Sequence, residues 1–350
     1  MRERASRNDI AMTNKMALRT ADNNVSQASV PSIQVTNEDS LPQRIGEIDF
    51  LKSMFIILMV TFHLTLIGKT YPFVKQVVYT FHMPGFLIIS GYFIRPEKSL
   101  NQFLHGMFWL FVPYAIMETA YIVMAYFLPV TDHIDCITPT IVLHYLLIAP
   151  LGPYWYLHTL ILCSTIGYFV LRFTKLSLFS RFLVLGVFYW VFSFLGLISL
   201  SCALYFLGGI VIRQTHIGFS KVFRSSALAF VPIVLICTFT DSLSKENVQG
   251  VLMTYLVMCF FLFLYQNIRG NRIAELMTFI GRHTLVILLF SPIFTAATKV
   301  FQPFFLFDAS RLVFMVVAVI FTISGSLTLA WMLDICHFSR FFFGKQRILA

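Results

Sequence analysis

The sequence predicts an all-α, polytopic membrane helix bundle of about ten transmembrane helices with both termini cytoplasmic, and three observations carry that expectation. Of its 350 residues, 58% are hydrophobic and 12% charged, against roughly 45–50% and about 25% in a soluble domain. Apolar stretches fill nearly everything after Phe50, and about 20 apolar residues cross a hydrocarbon core of about 30 Å. Lys and Arg alternate between rich and poor connections along the chain. A water-soluble globule is excluded. The net charge of +10 is dispersed in short runs between apolar segments rather than gathered in one patch with interleaved aromatics, so no nucleic-acid partner is expected.

Residues 1–44 are polar and lack the apolar run of a signal peptide, and they are expected to form a disordered cytoplasmic tail. Residues 45–350 form the membrane domain. Its candidate helices, cut where turn formers or charges cluster, are 50–68, 77–94, 102–128, 153–172, 180–197, 199–213, 226–240, 248–268, 279–299 and 312–334. The stretch 138–149 adds a partly embedded helix rather than a crossing.

The positive-inside rule tests this division. With the N-terminus in the cytoplasm, the inner connections carry Arg95, Lys98, Arg172, Lys175, Arg181, Arg213, Lys221, Arg224, Arg269, Arg272, Arg282, Arg340, Lys345 and Arg347. The outer ones carry Lys69, Lys75, Lys245, Lys299 and Arg311. An even number of spans with both ends inside follows, and an inner (plasma) membrane is the expected location.

An ionisable group inside a span costs at least a few kcal/mol, which makes each a candidate for function. The first span holds Asp49, Lys52 and His63. Eleven helical steps are about 1100°, three turns and roughly 20°, so Lys52 and His63 share one stripe, with His63 about 16 Å deeper. Asp49, three residues before Lys52, lies on nearly the same stripe. A histidine can take a proton from a hydroxyl at neutral pH, and Lys52 can meet phosphates or pair with Asp49 or Glu47. The structural alternative is that Lys52 snorkels and His63 bonds a neighbouring helix.

The second span contributes His82 beside Pro84, followed by Ser90-Gly91. Small residues there read as a packing site. The fourth span opens on Tyr154-Trp155-Tyr156-Leu157-His158. Such rings ordinarily form an interfacial belt, yet Trp155, Tyr156 and His158 can also make a sugar-stacking platform. His105, His144 and His283 read as interfacial. The six cysteines stand singly with no metal-like spacing, so no metal site is expected.

Taken together these strings resemble the membrane acyltransferase 3 family, whose members O-acylate envelope glycans. The resemblance runs from about Arg44 to Lys345. It is carried by Ile48-Asp49 with Lys52 and His63, by the run from Phe81 to Phe93, and less strongly by Tyr154–Leu157, Ala203–Arg213 and Phe279–Pro292. The resemblance implies an acyl-CoA donor, usually acetyl-CoA, bound from the cytoplasm, with no resident cofactor. It also implies His63 as the essential base, Lys52 as a donor-holding residue and a carbohydrate acceptor. Asp49 and His82 complete the candidate catalytic set. Pro113-Tyr114 lacks the arginines that many relatives carry a few residues earlier, and Ser291 stands where relatives often have a histidine.

The competing class is a transporter or flippase of envelope polysaccharide, for which mid-membrane polar residues are equally expected. No internal repeat and no paired Gly/Pro-broken helices support it.

Overall fold

The computed structural model describes residues 46–127, 133–239 and 243–349. The expected disordered tail lies outside them. Every regular element among the described residues is helical. In order, the helices are α1 (Gly46–His63), α2 (Thr65–Thr70), α3 (Pro72–Tyr92), α4 (Leu100–Phe127), α5 (Pro139–Leu147), α6 (Trp155–Phe173), α7 (Leu178–Phe194) and α8 (Leu200–Gln214). They continue with α9 (Phe219–Val222), α10 (Phe230–Cys237), α11 (Val248–Ile268), α12 (Arg272–Arg282), α13 (Thr284–Phe301), α14 (Leu312–Ile335) and α15 (Ser339–Phe343).

Among the described residues, five segments are long and apolar enough to cross a membrane: Leu100–Phe127, Gly152–Phe173, Val248–Ile268, Thr284–Phe305 and Leu312–Ile335. Apolar segments Leu178–Phe194, Leu200–Gln214 and Ala227–Cys237 are shorter. Large side chains such as Phe194, Leu228, Val316, Ile320 and Trp331 stand outward on these helices, as lipid-facing residues do. The molecule is a multi-pass membrane protein.

Two expected spans are divided. The first ends at His63, because Leu64 takes an extended ψ of 109° before α2 begins. The ninth begins at Thr284. His283 (φ −108°, ψ 19°) separates it from α12, whose Arg272, Glu275 and Arg282 keep that helix from being a continuous apolar rod. The short helix expected near 138–149 is present as α5. The Thr138 hydroxyl accepts the Ile141 N–H, and Pro139 occupies the first turn, where its missing donor costs nothing.

In lipid, close packing rather than the hydrophobic effect drives helix association. A close crossing joins α3 to α8, where Gly91 and Gly209 lie against each other's helices. A Cβ at Gly91 would run into the Phe206 carbonyl, and one at Gly209 into the Ile88 carbonyl. Gly91 thus fulfils the packing role expected of it. Helix α1 runs antiparallel to α3. Phe55 packs on Phe81 and Phe86, its ring fills the space over Gly85, and the Tyr79 hydroxyl donates to the Phe62 carbonyl at 3.4 Å. Helix α11 closes the far side through Phe261, 5.9 Å from the Phe55 ring. Phe103 stacked on Tyr168 at 3.9 Å ties α4 to α6.

Candidate active site

The antiparallel pairing of α1 and α3 decides which polar residues meet. His63 ends α1, and its partners lie on the first half of α3. The Tyr79 ring stands between the two imidazoles, 6.1 Å from His63 and 5.1 Å from His82 between centroids. His63 Nδ1 lies 2.7 Å from the Met59 carbonyl and His82 Nδ1 lies 2.8 Å from the Val78 carbonyl. A carbonyl can only accept, so each Nδ1 carries the proton and donates it. In the neutral ring each Nε2 is then the lone-pair nitrogen, the atom a general base uses.

Both imidazoles line one cavity of about 660 Å³. His82 is buried in its wall, whereas His63 is open to it. Met59, Met83 and Leu288 supply apolar lining, Gln76, Tyr79, Thr80 and Ser244 supply polar atoms, and Trp155 stands opposite with Pro153. Two cations complete the lining. Lys75 Nζ sits 5.2 Å above the Tyr79 ring, and Lys245 Nζ sits 5.1 Å above the Trp155 ring. Two residues beyond His82, Pro84 lacks the N–H that would meet the Thr80 carbonyl. Thr80 itself lines the cavity.

Asp49 and Lys52 lie at the other end of α1. Their ion pair spans 2.6 Å, and Arg282 from the end of α12 approaches the second Asp49 oxygen at 3.6 Å. Asp49 is buried, and Gly281 is seated directly on its backbone. Three turns of packed helix, including the fully buried Phe55 and Ile56, separate this cluster from His63. The shared stripe on α1 therefore does not put Asp49 or Lys52 in the histidine cavity.

The aromatic cluster is also divided. Trp155 faces the cavity. Tyr156 is turned into the core, its hydroxyl 2.8 Å from Ser90 Oγ and its ring against Phe86. His158 donates from Nε2 to the Leu147 carbonyl at 2.9 Å and borders a second cavity of about 340 Å³. Of the three rings expected to form a stacking platform, only Trp155 lines the histidine cavity.

Sequence reasoning missed four participants. Lys75 and Lys245 entered only as topological charges, although Lys75 precedes Tyr79 by one helical turn, a spacing that could have paired them. Arg282 reaches Asp49 through a long-range contact with no local signal. Glu118, inside α4, is fully buried. Its Oε1 accepts the Leu151 N–H at 2.6 Å, and its Oε2 has no hydrogen-bond partner among the described residues. It thereby anchors the loop that leads into Trp155. That loop also relies on Gly152, whose φ of +56° and contact with the Tyr121 ring favour a residue without a Cβ. Glu118 was findable by the intramembrane-charge rule that singled out His63.

Among the described residues no group of three or more His, Cys, Asp or Glu is placed to hold a metal ion. No curated protein and no solved structure matches the chain. A family model described as an acyltransferase domain, acyltransferase type 3, matches residues 45–331, which cover the histidine cavity, the Asp49 cluster and Glu118 together. The chain belongs to this acyltransferase family and is a membrane acyltransferase.

Proposed function

We propose that the protein transfers an acyl group, acetyl in the first instance, from a cytoplasmic acyl-CoA to a hydroxyl of an exopolysaccharide or other envelope glycan. The observation that carries this reading is the pair of Nδ1-protonated imidazoles, His63 and His82, facing one cavity beside Trp155. In this account the acceptor hydroxyl enters the cavity and gives its proton to His63 Nε2 as its oxygen attacks the thioester carbonyl. The new C–O bond forms, the C–S bond breaks, and the proton passes to the departing thiolate, so that free CoA leaves. General base catalysis of this kind contributes typically 10²–10⁴-fold. His82 orients the hydroxyl or the carbonyl through its own Nε2.

The topology that suits this chemistry has ten crossings and both termini in the cytoplasm of an inner-membrane protein. The Asp49–Lys52–Arg282 cluster then lies toward the cytoplasmic face and the histidine cavity toward the outer face. The basic-residue alternation supports this orientation. Lys52 and Arg282 are the groups we assign to the donor phosphates, with Asp49 holding both in place.

The test is the acyl content of surface glycan from a strain lacking the gene and complemented with wild-type or His63→Ala protein. Mass spectrometry should show one acyl unit lost per repeat with His63→Ala. Full acylation by a His63→Ala protein that inserts normally would falsify the assignment. Loss of glycan export as the sole defect, with the acyl content of the remaining glycan unchanged, would favour a transporter.

A further inference from the structure

We propose that Lys245 recognises an anionic group, a carboxylate or phosphate, carried by the acceptor, and that the acceptor extends past Trp155 into a second subsite. The inference rests on the reading of the histidine cavity as the place of acyl transfer. Lys245 and Trp155 line both that cavity and the smaller one of about 340 Å³ that reaches His158 and Thr159. The two side chains therefore form the partition between the two spaces. A chain longer than one sugar that places a hydroxyl at His63 can continue only across this partition or out of the opening.

Lys245 is built into its position. The Tyr205 hydroxyl donates to its backbone carbonyl at 2.8 Å, and Gly250 leaves room for the Ser244 and Lys245 backbone to fold onto α11. Among the described residues its ammonium meets the Trp155 ring at 5.1 Å and Cys202 Sγ at 3.7 Å. The ion pairs among the described residues join Asp49 to Lys52 and to Arg282, and His133 to Asp135. No described Asp or Glu lines either cavity. Glu246 is exposed and lines a third cleft, between α8 and α11, which Lys245 also borders.

A half-buried ammonium whose partners are a ring and a thiol retains most of its attraction for an anion, and low-dielectric walls strengthen that attraction. Lys75, across the same cavity over Tyr79, adds a second positive charge and no compensating negative one. A neutral glycan gains little from this pair. A uronate, or a phosphate linking a glycan to lipid, gains at Lys245 and then lies beside the sugar presented to His63.

The test is equilibrium binding to the full chain in lipid nanodiscs. The probes are cellotetraose, its C6-oxidised tetraglucuronate, and farnesyl-diphospho-N-acetylglucosamine. At least one anionic probe should bind tenfold or more tightly than cellotetraose, and the better one identifies the source of the charge. Lys245→Met should reduce that preference to under threefold, and Lys245→Arg should keep it. Equal binding of all three probes by wild type, or a preference that survives Lys245→Met, overturns the proposal. So does displacement of the anionic probe by coenzyme A, which would assign Lys245 to the donor. Should Lys245→Met fail to insert, wild-type binding at low and high ionic strength decides, since a preference insensitive to salt contradicts a charge-based origin. The outcome is separable from the catalytic reading: His63→Ala protein should show the same preference whether or not it still transfers acyl groups.

Discussion

Gly281 lies flat against the backbone of Asp49, and this contact lets Arg282, the next residue, reach the Asp49 carboxylate at 3.6 Å. The amphipathic helix α12 is thereby locked to the start of α1. A buried carboxylate at this end of the bundle holds two cations together, Lys52 from its own helix and Arg282 from another.

Adding a side chain at Gly281 should part the two helices. Gly281→Val is expected to cost about 1–3 kcal/mol by overpacking, visible as a lowered unfolding midpoint in detergent. Ala at Gly106, which has open space around it, should leave the midpoint unchanged. Equal midpoints for the two variants would mean that the Asp49 contact is not built as described.

Removing the Asp49 charge should be felt by the donor rather than by the acceptor. If Lys52 and Arg282 hold donor phosphates, Asp49→Asn frees their side chains from the geometry that aims them. The apparent KM for acyl-CoA should then rise about tenfold, the value of about 1.4 kcal/mol of lost binding. Acceptor KM should stay within threefold. A rise confined to acceptor KM would move the donor site elsewhere.

Glu118 holds the Leu151 N–H, and the two obvious substitutions should separate. Glu118→Gln keeps an acceptor oxygen in place, whereas Glu118→Ala leaves a buried donor unsatisfied at a cost of about 1–3 kcal/mol. Thermal unfolding of both proteins checks the ordering. If Gln destabilises as much as Ala, the backbone bond is not what Glu118 contributes.

The orientation can be read chemically. A membrane-impermeant maleimide added to intact cells should label Ser244→Cys, in the lining of the histidine cavity, and spare Ser220→Cys, beside Glu47 at the other end. Native cysteines are first replaced by alanine. The reverse pattern would invert the bundle and place the histidine cavity toward the cytoplasm.

The helical class and most helix positions were legible because hydropathy and the alternation of Lys and Arg are local signals. His63 and His82 were legible because an imidazole among apolar residues is conspicuous. Their convergence was not, since it depends on how α1 and α3 run past each other around Gly85 and Phe55. The break at Leu64 left no Gly or Pro to mark it. Lys52 and His63 share one side of α1, yet a shared face does not make a shared cavity. About 16 Å along the axis, filled by Phe55 and Ile56, keeps them apart. Trp155, Tyr156 and His158 looked like one platform because they are adjacent in sequence. Successive helical residues point about 100° apart, so Tyr156 turns into the core while Trp155 and His158, three residues apart, share the smaller cavity and only Trp155 also reaches the histidine cavity.

The most direct measurement is single-turnover acyl transfer by purified protein in nanodiscs, with wild type, His63→Ala and His82→Ala compared at saturating acyl-CoA and native glycan. The account predicts a fall of at least 100-fold for His63→Ala, with binding of both substrates retained, and a smaller fall for His82→Ala. Transfer by His63→Ala within threefold of wild type would contradict the assignment of His63 as the base.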